Sequence, residues 1–184
     1  MTCIPTSEFW DLGHKLFKTT PDTFPVTFIP GNVFDPEHLS IVPPFTANSP
    51  PATTIPDLRT LTSLNPLHGH VSAIFTASLF HLFPEDAQVS LARALAGLLS
   101  PEPGSMIFGI QLGHPESGYV EDPLLPSRLF CHGPQSWSDL WDGEVFSKGT
   151  VKVSAFVMEY PKDGMYPETD SSLLRLLIWS VIRL

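Results

Sequence analysis

HVSAIFTASLFHLF, residues His70 to Phe83, begins with the apolar run Val71, Ala73, Ile74 and Phe75, passes through Thr76 and Ser78, and ends on Phe80, His81 and Phe83. A run that is apolar on both faces predicts a strand covered by helices on both sides, as a central strand of a parallel sheet is. The residues that follow, PEDAQVSLARALAGLLS, predict a helix from Glu85 to Leu99. Pro84 suits its first turn, Glu85 and Asp86 complement its positive end, and Ala87, Leu91, Ala94, Leu95, Leu98 and Leu99 share one face. Pro101 and Pro103 stop it, and Gly104 turns the chain. Ser105 to Leu112 (SMIFGIQL) is a second apolar strand. Two strands joined by one helix make a parallel crossover unit. Ligands of open α/β sheets sit beyond the carboxyl ends of such strands, so Thr76, Ala77, Ser78 and His81 are the first candidate site residues.

Upstream, Ser7 to Lys18 (SEFWDLGHKLFK) predicts an amphipathic helix capped by Ser7, with Phe9, Leu12, Leu16 and Trp10 on its apolar stripe. Val26 to Ile29 predicts a brief strand, and Gly31-Asn32-Val33-Phe34-Asp35 a sharp turn at its end. Pro36 to Pro56 holds six prolines and predicts a surface connection with one helical turn near Glu37 to Leu39. Asp57 to Asn65 is a short helical candidate. Downstream, Gly113 to Cys131 predicts a long loop of the kind that becomes a lid or substrate wall. Gln135 to Phe146 predicts a helix with Pro134 at its first position and Trp137, Leu140 and Trp141 facing inward. Thr150 to Tyr160 and Leu173 to Leu184 predict two strands, joined by the polar loop Pro161 to Ser172 into a closing antiparallel hairpin.

The 184 residues suffice for one domain with its own core, and 1–184 is taken as a single domain. A net charge of −9, with only ten scattered Lys and Arg, argues against a nucleic-acid backbone as partner. Cys3 and Cys131 show neither disulfide nor zinc-finger spacing, and no basic and apolar leader opens the chain. The apolar end segment is too short to cross a bilayer. Together these features point to a cytoplasmic location and no membrane partner.

Five stretches carry a family resemblance: EFWDLGHKLF (Glu8 to Phe17), GNVFDP (Gly31 to Pro36), GHVSAIFTASLFHLF (Gly69 to Phe83), LARALAGLLSPEPGSMIFG (Leu91 to Gly109) and CHGPQSWSDLWDGEVF (Cys131 to Phe146). In this order they resemble the C-terminal two-thirds of a class I S-adenosylmethionine-dependent methyltransferase, above all the fungal small-molecule enzymes of secondary metabolism. The resemblance implies an α/β, Rossmann-like sheet of order 3-2-1-4-5-7-6 with a closing antiparallel hairpin, here lacking the first two strands. It implies S-adenosyl-L-methionine as cofactor and a small-molecule metabolite, methylated on a hydroxyl or carboxyl oxygen, as substrate. Asn32 stands where the family usually has an aspartate for the adenine amino group, and Val33 would pack on the adenine ring. The alternatives are a turn asparagine and a core valine. Thr76, Ala77 and Ser78 would lie beside the cofactor, or else merely pack as small residues. His114 and Tyr119 fall in the loop that resembles the substrate wall.

The family's acidic, glycine-rich loop (E/D-x-G-x-G) and the ribose-binding acidic residue find no counterpart in the sequence. Activity is therefore expected to be impaired, and the strand at Val71 to Phe75 is expected to have one open edge through which the chain could self-associate. A non-catalytic remnant acting as a protein-interaction module is the competing expectation. A hydrolase or dehydrogenase of another doubly wound fold would need a GxSxG elbow or a GxGxxG loop, and neither is present. His81 is the one candidate base, because an ordinary histidine titrates near neutrality. Its place between Phe80 and Leu82 also suits a packed structural histidine. His68 and His70 are spaced H-x-H without a third ligand in view, so no metal is expected.

Overall fold

In a computed structural model that describes residues 7–121, 128–159 and 175–184, the chain builds a four-stranded sheet with helices on one face. Strand β1 (Ala73–Ala77), helix α2 (Glu85–Leu98) and strand β2 (Met106–Gly113) form the expected crossover, with β1 and β2 parallel. Strands β5 (Val151–Glu159) and β6 (Arg175–Arg183) are antiparallel, and β6 inserts between β2 and β5. The order β1-β2-β6-β5, with one parallel and two antiparallel pairings, is compatible with the 4-5-7-6 end of the order that the resemblance implies. Residues 161–172, expected to link the hairpin, lie outside the described residues.

Alternation decides which side of the sheet is dry. Ile107, Gly109, Gln111 and Gly113 of β2 and Leu177, Trp179, Val181 and Arg183 of β6 all point to the covered face. Against them pack α2 and helix α3 (Pro134–Trp141), which contribute Leu91, Leu95, Leu98, Trp137, Leu140 and Trp141. Phe80 stands in the middle, edge-on to Trp137 at 5.0 Å and to Trp179 at 5.9 Å. Helix α2 is buried nearly all round, and among its buried residues is the polar Gln88. Pro84 is its N-cap rather than part of its first turn.

The other sheet face corrects the expectation of double cover. Phe75 on β1 is 62% exposed, and Phe156 and Met158 on β5 at the other end of the sheet are exposed as well. Among the described residues strand β1 is an outer strand rather than a central one, and only Thr76 in it is buried. Apolar content on both faces of a strand records what it is able to bury, and coverage depends on the neighbours supplied.

Helix α1 (Ser7–Phe17) forms as expected but buries no residue. Its stripe faces outward, with Phe9, Leu12 and Leu16 exposed, and it is held through Trp10, stacked on Phe28 at 4.9 Å. Residues 26–29 are not a strand; the segment runs without a ladder partner. The turn at 31–35 does form, closed by the Asp35 N–H donating to the Asn32 carbonyl at 2.9 Å.

The proline-rich connection is less superficial than its composition suggests. His38 and Leu39 are buried, and Asn65 Nδ2 donates to the carbonyls of Pro36 and Glu37 while its Oδ1 accepts from the Ser40 N–H. In place of a helix, residues 57–67 form two single 3-10 turns, Leu58–Thr60 and Asn65–Leu67. The expected long loop at 113–131 contains an antiparallel pair, β3 (Gly118–Val120) and β4 (Leu129–Cys131). Helix α3 ends at Trp141 instead of Phe146, because Gly143 at φ 140° turns the chain and the Val145 and Phe146 N–H groups bond back to Leu140 and Trp141.

Candidate active site

At the carboxyl ends of β1 and β2 three segments converge: the turn 31–35, the crossing 78–83, and the β3–β4 hairpin. The first two touch through Phe34 and Phe83, whose rings meet edge-on at 4.8 Å. The crossing and the hairpin are joined by Gln88, whose Nε2 donates to the carbonyls of Phe83 and Phe130, each at 2.9 Å. Gln88 is fully buried and its Oε1 has no partner among the described residues. A polar residue in the apolar stripe of a helix was the signal for it, three positions before Leu91 and seven before Leu95.

The candidate residues divide by where they point. Asn32 Oδ1 accepts from the Phe34 N–H at 3.0 Å, which fixes the turn and leaves its second lone pair. Val33 is half-buried and packs on the core. Gly31 has no room for a Cβ because the His38 ring lies against it.

Thr76 turns inward: its hydroxyl sits over Gly109 beside the Trp179 ring, buried and without a partner among the described residues. Ala77 faces the open side. Ser78 adopts φ 50°, an uncommon conformation outside glycine, while its N–H donates to the Ile110 carbonyl at 2.7 Å. The three residues therefore do not share one surface.

His81 is buried, and its Nδ1 accepts from the Leu112 N–H at 3.4 Å. That contact places the ring proton on Nε2, and burial lowers the pKa, so the ring is neutral at pH 7. His114 follows β2; its Nδ1 lies 2.8 Å from the Glu116 carbonyl, and its N–H donates to the His132 carbonyl at 3.1 Å. Tyr119 on β3 is 51% exposed, lies edge-on to Phe130 of β4, and carries the Arg128 guanidinium 5.1 Å over its ring. His68 and His70 do not share a ligand position: His68 Nε2 meets the Ser40 carbonyl and His70 Nε2 the Thr53 hydroxyl.

Sequence reasoning missed His132. It is 4% exposed, its Nδ1 is 3.0 Å from the Ser136 hydroxyl, and its Nε2 has no partner among the described residues. Burial pushes its pKa down to about 4. Next to it, burial raises the Cys131 thiol to about 11, which leaves that sulfur unreactive.

No protein-family model matches the chain. Over 142 residues it is 28% identical to the O-methyltransferase phiE of Fungal sp. (strain ATCC 74256), covering 77% of this chain and 39% of that protein. The matched part of the chain is similar to a fungal methyltransferase. The chain is also 31% identical over 78 residues to the Asnovolin E/Chermesin D methyltransferase nvfJ of Aspergillus novofumigatus (strain IBT 16806), covering 42% of this chain and 28% of that protein. It thus spans well under half the length of either. An S-adenosylmethionine dependent methyltransferase from Mesorhizobium loti superposes with a TM-score of 0.38 at 14% identity, covering 63% of each chain.

Proposed function

We propose that this chain takes part in S-adenosylmethionine-dependent methyl transfer to an oxygen, hydroxyl or carboxyl, of a small metabolite. The observation that carries the proposal is the convergence of the 31–35 turn, the 78–83 crossing and the β3–β4 hairpin, fastened by Phe34 on Phe83 and by Gln88. The kinship with two fungal methyltransferases supports it.

The residues present fit the adenine side of the cofactor. Asn32 Oδ1 retains a lone pair for an amino group, and Val33 offers an apolar side chain next to it. An acidic glycine-rich loop is not among residues 1–184, so this chain's own contacts to the rest of the cofactor are fewer than in the family. When bound, the cofactor supplies a methyl activated on a sulfonium, and no side-chain nucleophile is needed.

The chain's residues then bind and orient. Ser78 ends β1 in its bent conformation, and Tyr119 and His114 form the wall on the hairpin side. His81, with its proton on Nε2 and Nδ1 taken by Leu112, acts as a neutral donor and spacer rather than a base.

Calorimetric titration with S-adenosylhomocysteine tests the proposal. A dissociation constant below about 100 μM, roughly −5.5 kcal/mol, is expected. No heat from a chain that melts cooperatively would overturn it and leave the non-catalytic interaction module.

A further inference from the structure

Strand β4 runs from Leu129 to Cys131, and Arg128 and His132 flank it. Alternation sends Arg128, Phe130 and His132 to one side of the hairpin. The contacts agree with that arrangement. Phe130 and His132 meet edge-on at 5.1 Å, and Arg128 lies 5.1 Å over Tyr119, itself edge-on to Phe130 at 5.2 Å. Phe130 and His132 are buried, and from His132 the ring contacts continue through Trp137 to Phe80 of the crossing. This side of the hairpin therefore faces the crossing, buried at its inner end, with Arg128 and Tyr119 at its mouth.

Arg128 is the one Lys or Arg in residues 31–35, 78–83 and 114–132, the segments that bound the site. Two contacts among the described residues place its guanidinium: the face of Tyr119, and Glu121, whose Oε1 lies 3.5 Å from Nε. Stacking on a ring fixes the plane of the fork. An ion pair of that length between largely exposed side chains is weak, so Glu121 orients the fork and competes little for it. Glu121 stands on the Nε side, and the Nη1–Nη2 edge is one that a carboxylate meets with two parallel N–H···O bonds.

We infer that Arg128 selects a substrate that carries a carboxylate, held on the Nη1–Nη2 edge while the body of the molecule lies against the exposed part of Tyr119. The inference rests on the methyl-transfer reading of this site and names the class of molecule that enters it. Charge decides between anions. A single fork with one such edge to offer matches a planar monoanion, whereas a phosphate dianion calls for further cations that these segments do not supply. The net charge of −9 also repels a dianion about twice as strongly as a monoanion.

Nuclear magnetic resonance titrations of the full isotope-labelled chain, with S-adenosylhomocysteine present, test the inference. The probes are benzoate and methyl benzoate, alike in shape and different in charge. Amide shifts at Tyr119, Leu129 and Phe130 should follow benzoate, which should bind about fivefold tighter than the ester, the upper end of what an exposed ion pair supplies. Arg128→Gln should erase that preference. Arg128→Lys should keep only part of it, because an ammonium lacks the planar fork, and Glu121→Gln should strengthen it. All three variants should keep the unvaried melt and the unvaried affinity for S-adenosylhomocysteine.

Equal binding of acid and ester, shifts confined to positions away from the hairpin, no binding of either probe, or a preference that survives Arg128→Gln would overturn the inference. Any of these with S-adenosylhomocysteine still bound leaves the methyl-transfer reading standing. A benzoate preference that depends on Arg128 in a chain that binds no S-adenosylhomocysteine would instead overturn that reading and leave Arg128 as a carboxylate site.

Discussion

His132 shows most directly how burial is converted into a measurable property. Its ring lies between Phe130 and Trp137, each edge-on at 5.1 Å, and its one polar contact among the described residues is the Ser136 hydroxyl. An imidazolium there would lose its hydration without gaining an anion, which is why burial holds the pKa near 4. The unfolded chain takes up that proton near pH 6.5, the folded chain only near 4. Between those values the unfolded state binds more protons, so stability falls as pH falls, by at most about 3 kcal/mol. His81 and His68 are shifted downward by burial as well and add to the same acid limb. Urea melts from pH 7 down to pH 4.5 should show the loss, and His132→Asn, which keeps a partner for Ser136, should flatten it. A variant whose stability declines in parallel with the unsubstituted chain would remove His132 from the account.

At the scale of elements, the β3–β4 hairpin depends on a helix to hold it. Gln88 spends both of its donors on the carbonyls of Phe83 and Phe130, so Gln88→Leu leaves one buried and one half-buried acceptor without this partner. At about 1–3 kcal/mol for each such group, a destabilisation of roughly 2–6 kcal/mol is expected in a thermal or urea melt. Amide exchange at 129–131 should quicken more than exchange in β2. Uniform acceleration would mean that Gln88 holds the whole core and not the hairpin. These two kinds of element also mark what sequence could show. Helix α2 and strands β2, β5 and β6 were legible because their apolar spacing recurs over eight residues or more. β3 and β4 are three residues each, set among Gly and Pro, too short for a period to register. Residues 26–29 have strand composition, yet a strand exists only where a ladder partner stands beside it. The position of the candidate residues at the end of β1 was legible, and the directions of their side chains were not. Thr76 was expected beside the ligand, but Gly109 opens a space that draws its hydroxyl inward, and that depends on the register between β1 and β2.

Over the whole molecule, stability is unevenly distributed. The sheet, α2 and α3 share one aromatic-rich core in which Phe80, Trp137, Trp141 and Trp179 lie within 4.8–6.3 Å of one another. Helix α1 buries none of its residues, and its ring contacts are those of Trp10 and His14 with Phe24 and Phe28. Eleven residues are too few for a helix to persist in water on propensity alone, so α1 relies on that small cluster. The consequence is local opening well below the free energy of global unfolding. Trp10→Ala should therefore melt α1 while leaving the core transition in place. Far-ultraviolet dichroism would lose about one short helix, and the near-ultraviolet signal of the three core tryptophans would stay. Lys18, just beyond α1 at φ 53°, should become the first site of tryptic cleavage, ahead of Arg93 on α2. If the core midpoint instead falls along with the helix signal, α1 is part of the same cooperative unit, and its exposed stripe of Phe9, Leu12 and Leu16 contributes to folding through contacts other than those of Trp10.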